Sequence, residues 1–183
     1  MGVFGPSGSG LCRASDVIPD VLVGTLGKSV GVAGAFVAGS ELLRRWLWNR
    51  ARTLVFSTAP SPMLAELLLR QLHATRVASD ARTRVRENAE HLRRLLLERG
   101  VSLASGNYGP ILPLILGDAA RSVRAAERLL SEGIVVQAIR PPTVPANTAR
   151  LRVTVTAAMT DSDIQRLGSA LAAALHAEAE GQR

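Results

Sequence analysis

The stretch VLVGTLGKSVGVAGAFVAGS, residues 21–40, holds Lys28, the only lysine among the chain's 22 basic residues. Arginine supplies every other permanent positive side-chain charge. A primary amine does one thing a guanidinium cannot: it condenses with a carbonyl to form a Schiff base. A carbonyl cofactor such as pyridoxal phosphate needs such an amine. Glycines at 24, 27, 31 and 34 would let the backbone come close to a flat ring. Thr25, three residues before the lysine, could offer a hydroxyl to a phosphate. A solvated lysine in a loop satisfies the same spacing, and the residues alone leave both readings open. Gly27-Lys28-Ser29 also ends like a P-loop, but that motif needs glycine at position 22, where Leu22 stands. The GPSGSG run at 5–10 reverses the spacing of G-x-G-x-x-G and reads as a flexible loop.

A second constellation is AIRPPTVPANTARLRVTVTAA, residues 138–158. Arg140 stands at the end of a strand-like run and is followed by two prolines. A fixed guanidinium can grip a carboxylate through two parallel hydrogen bonds. A proline-stiffened surface turn would read the same way.

These residues need elements to position them. Val21–Val23 and residues 34–40 read as strands, the first of them buried. Residues 41–50 read as a helix capped by Ser40, with Leu42, Leu43, Trp46 and Leu47 on its apolar stripe. TLVFST at 53–58 reads as a third strand. Residues 61–99 carry one long helical pattern: Leu64, Leu67, Leu68 and Leu72 early, Leu92, Leu95 and Leu96 late, and a polar middle. Gly100 stops it. Beyond lies a smaller α/β unit. Residues 111–116 form a strand that Pro113 confines to an edge. An amphipathic helix ends at Gly133, and IVVQAI forms a strand. LRVTVT at 151–156 alternates, with Leu151, Val153 and Val155 on one face, and residues 161–178 close as a helix.

Composition narrows the function class. With 47% hydrophobic and 20% charged residues, the chain has the composition of a globular protein. The formal charge is +7, but aromatics for base stacking make up only 3%. The arginines fall mostly on amphipathic helical stretches, so no nucleic-acid partner is expected. No run of about 18 apolar residues occurs, so no membrane span is expected. The single cysteine, Cys12, excludes an internal disulfide and fits a reducing compartment. The opening residues have no basic start or apolar stretch, and a cytoplasmic location is expected.

VGTLGKSVGVAGAFVAGS, RTLVFSTAPSP and IRPPTVPANTARLRVTVTAA, taken in order, resemble the α-oxoamine synthases. These are pyridoxal-phosphate enzymes of the aspartate-aminotransferase fold type. The IRPPTVP stretch is closest to the biotin-pathway branch, and the 5-aminolevulinate synthase and glycine C-acetyltransferase branches usually differ there. The implied class is α/β: part of a cofactor-binding large domain at 1–60, a long inter-domain helix at 61–99 and a small α/β domain at 100–183. By this resemblance Lys28 would hold the cofactor and then serve as proton-transfer base, and Thr25 would contact its phosphate. Ser57 and Thr58 would reach the phosphate of a neighbouring subunit's cofactor, which implies a homodimer. Arg140 would bind the amino-acid carboxylate and Thr143 would line the substrate site. The implied reaction is a decarboxylating condensation of L-alanine with pimeloyl-CoA or a pimeloyl carrier protein.

The family is about twice this length, and its Asp-x-x-His motif lies just upstream of the GVFG with which this chain opens. The chain therefore reads as a fragment, one begun at an internal start codon. Poor solubility and no turnover are expected of it alone. The alternatives are another α-oxoamine synthase, of the glycine C-acetyltransferase or 5-aminolevulinate synthase type, and a non-catalytic module with residues 100–183 as a dimerising or basic binding domain.

Overall fold

The structure, a computed structural model, describes residues 2–104 and 109–180. It divides into two units, Met1–Arg82 and Thr83–Arg183.

The first unit opens on a braced loop. The Gly2 N–H donates to the Gly8 carbonyl at 2.7 Å, and the Gly10 N–H to the Phe4 carbonyl at 2.8 Å. A short 3-10 turn, Pro6–Gly8, lies inside it, and helix α1, Leu11–Ala14, follows. The expected flexible loop is thus a cross-linked one: its own carbonyls take up the amides that glycine leaves exposed. Strands β1, Val21–Thr25, and β2, Ala35–Gly39, pair antiparallel as a hairpin. Both expected strands exist, but β1 is not buried. Val21 is half exposed and Val23 more so, because among the described residues this sheet has only two strands.

Helix α2, Glu41–Arg50, starts where Ser40 predicts, with the Leu43 N–H donating to the Ser40 hydroxyl. The third strand does not form. Residues 52–55 make a short helix α3, Arg52–Val55, and the Phe56 N–H donates to the Arg52 carbonyl at 3.0 Å. A strand must share its backbone groups with a neighbour. Among the described residues no third strand joins either open edge of the β1–β2 hairpin, and residues 52–55 bond locally instead.

The long helix at 61–99 is corrected to two. Helix α4 is Pro62–Val77, and helix α5 is Ser79–Glu98. Ala78 leaves helical geometry at ψ 51°. The Arg82 guanidinium donates to the carbonyls of Thr75 and Arg76, the last-turn acceptors of α4. Leu67 and Leu72 on α4 stay exposed, whereas Leu92, Leu95 and Leu96 on α5 are buried.

The second unit has a three-stranded antiparallel sheet ordered β3–β5–β4. β3 is Ile111–Gly117, helix α6 is Ala119–Ser131, β4 is Gln137–Ile139 and β5 is Ala149–Thr154. Since β5 runs against both neighbours, β3 and β4 are parallel with β5 between them. β3 is an edge strand, as Pro113 requires. β4 is shorter than the IVVQAI run. The Gly133 and Ile134 amides bond back to Leu130 and Leu129, which spends the start of that run closing α6.

Helix α7, Asp161–Glu180, completes the unit. Leu112 and Leu114 from β3, Leu129 from α6, Leu151 and Val153 from β5, Leu92 and Leu96 from α5, and Ile164 and Leu171 from α7 share one core. Each is 2% exposed or less. The alternation of 151–156 is borne out, since Leu151, Val153 and Val155 are all buried. None of the described helices is long and apolar enough to cross a membrane.

Candidate functional site

Lys28 sits in the connection between β1 and β2. Three apolar side chains pin this loop: Leu26, Val30 and Val32 are buried together, with Phe36 and Leu68 against them. Two backbone bonds close it. The Leu26 N–H donates to the Gly34 carbonyl at 2.9 Å, and the Val32 N–H to the Leu26 carbonyl at 3.1 Å. With residues 26, 30 and 32 turned inward, Gly27, Lys28 and Ser29 face outward and are exposed. The loop is a small rigid clip that presents a primary amine to its surroundings.

Two glycines make the clip possible. Gly24 lies opposite Phe36 in the hairpin, and a Cβ there would stand 2.3 Å from the Phe36 ring. Gly31 takes a φ of 70°, the left-handed region that other residues avoid. Thr25 ends β1, exposed, three residues before the lysine. A Cβ placed on Gly27 or Gly31 would meet nothing within 4 Å, so the space around the amine is open.

Ser57 and Thr58 follow α3 and are both exposed. The Ser57 hydroxyl donates to the Leu54 carbonyl at 3.2 Å. Arg140 and Thr143 belong to the second unit. Arg140 follows β4, and the Thr143 N–H donates to its carbonyl at 3.0 Å across a turn formed by Pro141 and Pro142. Among the described residues the Arg140 guanidinium has no hydrogen-bond or ionic partner. It borders a 170 Å³ groove with Val123, Glu127 and Leu130. The residues read from the sequence therefore fall into two sets. Thr25, Lys28, Ser57 and Thr58 lie in one unit, and Arg140 and Thr143 in the other.

The first set fits the two reactive ends of pyridoxal phosphate. Lys28 offers an accessible primary amine for an aldehyde, Thr25 offers a hydroxyl for a phosphate, and the backbone between them leaves room for a ring. Among the described residues no group of three or more His, Cys, Asp or Glu side chains could hold a metal. The sequence reading missed the features that set the amine outward, the inward Val30 and Val32. Their V-x-V spacing was the available signal, but only the loop closure shows which way it faces.

Comparison with known proteins extends over most of the chain. The family model for aminotransferase class I and II matches residues 1–171. A curated 8-amino-7-oxononanoate synthase from Methylococcus capsulatus is 44% identical over 183 residues, covering 98% of this chain and 47% of that protein. Another, from Thioalkalivibrio sulfidiphilus, is 42% identical over 175 residues, covering 93% and 44%. The solved structure of 8-amino-7-oxononanoate synthase from Francisella tularensis matches with a TM-score of 0.86 at 27% identity, over 97% of this chain and 53% of that one. Serine palmitoyltransferase from S. paucimobilis, solved with a pyridoxal phosphate–myriocin adduct, matches with a TM-score of 0.87 at 28% identity, over 98% and 46%. The chain spans under half the length of these curated relatives. The expected resemblance and the partial fold-type I transferase architecture are borne out, and the family is pyridoxal-phosphate-dependent. With its lysine clip and a family match running from residue 1 to 171, the chain belongs to the aminotransferase class I and II family.

Proposed function

We propose that this chain supplies the C-terminal half of an 8-amino-7-oxononanoate synthase. The reaction is the decarboxylating condensation of L-alanine with a pimeloyl thioester, on the way to biotin, in the cytoplasm. The observation that carries the reading is the outward amine of Lys28 on a pinned loop, in a chain 42–44% identical to proteins of that name. Pyridoxal phosphate, when bound, supplies the electron sink that lets the amino acid's α-carbon act as a nucleophile.

The chain's own residues do the rest. Lys28 would hold the cofactor through its Nζ. The same amine would take the amino acid's α-proton and return one to the product. Thr25 would donate its hydroxyl to the cofactor phosphate. Ser57 and Thr58 would do the same for the cofactor of the partner subunit of a homodimer. Arg140 binds the amino-acid carboxylate through its guanidinium, and Thr143 lines the substrate space. The large domain takes residues 1–60 and the small one residues 100–183, with 61–99 between. Without the residues its relatives carry outside the match, the chain does not turn over.

The test is co-expression with that remaining part of the Methylococcus capsulatus relative, followed by an assay for CoA released from pimeloyl-CoA. Release that needs L-alanine and disappears in Lys28→Ala is the expected result. Release with glycine instead of L-alanine would move the chain to another branch of the α-oxoamine synthases.

A further inference from the structure

A groove of 430 Å³ lies in the first unit, lined by none of the residues assigned above. Its polar lining is all of one kind: Ser7 and Ser9 from the braced loop, Arg13 from α1, and Thr75 and Arg76 from the end of α4. Leu72 forms an apolar wall, and among the described residues no carboxylate lines the groove. Among the described residues neither the Arg13 nor the Arg76 guanidinium has a hydrogen-bond or ionic partner. Two guanidinium forks with three hydroxyls and no acid are the donor set of a phosphate site.

The groove is held in shape. A Cβ on Gly5 would meet the Gly10 carbonyl at 2.6 Å, so the loop that carries Ser7 and Ser9 closes tightly on itself. It also neighbours the lysine clip. A Cβ on Gly2 would stand 3.2 Å from Ser29 Cβ and 3.7 Å from Thr75 Cγ2. Thr75 lines the groove and Ser29 follows Lys28, so one glycine separates the two places.

We infer that this groove binds the phosphate of the pantetheine arm that carries the acyl thioester. The inference rests on the thioester reaction proposed above. CoA and a carrier protein both present that phosphate, and the groove reads the chemistry they share. Arg13 and Arg76 clamp its oxygens, Ser7, Ser9 and Thr75 donate to it, and Leu72 packs against the arm. No bond is made or broken here.

The experiment is calorimetric titration of the full chain with 4′-phosphopantetheine, CoA and phosphate-free pantetheine at low ionic strength. The phosphorylated arm should bind about tenfold or more tightly than pantetheine, the scale of one charged hydrogen-bonded pair. Arg13→Gln and Arg76→Gln should each weaken it about tenfold. Arg13→Lys and Arg76→Lys should keep part of the affinity, since charge remains while the fork is lost. Arg128→Gln, on α6, should change nothing. Tighter binding of CoA than of 4′-phosphopantetheine identifies the nucleotide as the source, and equal binding identifies the carrier arm. Equal affinity for pantetheine and 4′-phosphopantetheine, no binding of either, or an unchanged affinity in both Gln variants would overturn the proposal. Attachment of pyridoxal to Lys28 is a separate readout. A silent groove beside a labelled Lys28 overturns only the groove, and phosphate binding beside an unlabelled Lys28 overturns only the lysine's role.

Discussion

The two units treat their apolar residues in opposite ways. In Thr83–Arg183, leucines from α5, β3, α6, β5 and α7 close on one core and several lose all exposure. In Met1–Arg82, the buried hydrophobic side chains among the described residues are Leu26, Val30 and Val32, while Trp46, Trp48, Phe56 and Met63 stay more than half exposed. The unit with the better core carries only Arg140 and Thr143 of the candidate site. The thinly packed unit carries the amine. A small rigid loop can therefore present a reactive group without a large core beneath it, whereas the faces around that loop stay uncovered.

The sharpest way to break this comparison is to remove a core leucine. Leu151→Ala should cost about 2–5 kcal/mol, because the side chain is fully buried and leaves a cavity. Leu67→Ala on α4, with 42% exposure, should change stability by about 0.5 kcal/mol or less. Urea unfolding followed by circular dichroism measures both, and equal costs would erase the distinction between the units.

Within the first unit the clip is the exception. Gly24→Ala forces a methyl into the Phe36 ring and should destabilise the hairpin by about 1–3 kcal/mol. Hydrogen exchange at the Leu26 and Val32 amides, which close the loop, should rise with it. If those amides exchange fast in the unaltered chain, the clip is not rigid.

A comparable effect is expected at the edge of the second core. Arg124 donates through Nε and Nη2 to one oxygen of Glu178, which is 7% exposed. Arg124→Ala leaves that carboxylate buried without its ion-pair partner and should cost about 1–3 kcal/mol in the same unfolding assay. Glu178→Gln should cost less, since the amide oxygen still accepts.

The smallest effect is a pH dependence. The Thr160 amide N–H, and then its hydroxyl, hold the Asp163 carboxyl below its ordinary value at the start of α7. A carboxyl lowered on folding contributes stability above its unfolded pKa, about 3.9, and loses it as pH falls through the folded value. Asp163→Asn should therefore flatten the acid limb of the stability curve and leave its slope near pH 7 unchanged. Acid titration followed by circular dichroism tests this.

The second unit was largely legible in the sequence. The alternation of Leu151, Val153 and Val155, the edge position of Pro113 and the stops at Gly100 and Gly133 all depend on local pattern. They held because the elements they pack against are in the chain. The first unit was less legible wherever the pattern needed partners. TLVFST has a strand's composition, yet it pairs with neither open edge of the β1–β2 hairpin, and residues 53–55 bond locally within α3. The helix reading across Ala78 failed because Arg82 takes up the carbonyls at the end of α4, a tertiary contact that periodicity does not record. At the site, the singularity of Lys28 was visible at once. Its outward presentation was not, since that depends on Val30 and Val32 turning inward together.

The most direct test is covalent trapping of the cofactor at Lys28. The chain, co-expressed and purified with the remaining part of the Methylococcus capsulatus relative, is mixed with pyridoxal phosphate, reduced with borohydride and mapped by mass spectrometry. Because this chain has one lysine, its only competing amine is the N-terminus. A pyridoxyl group on Lys28, absent from Lys28→Ala, is the predicted result. A co-purified complex whose Lys28 stays unmodified would contradict the account.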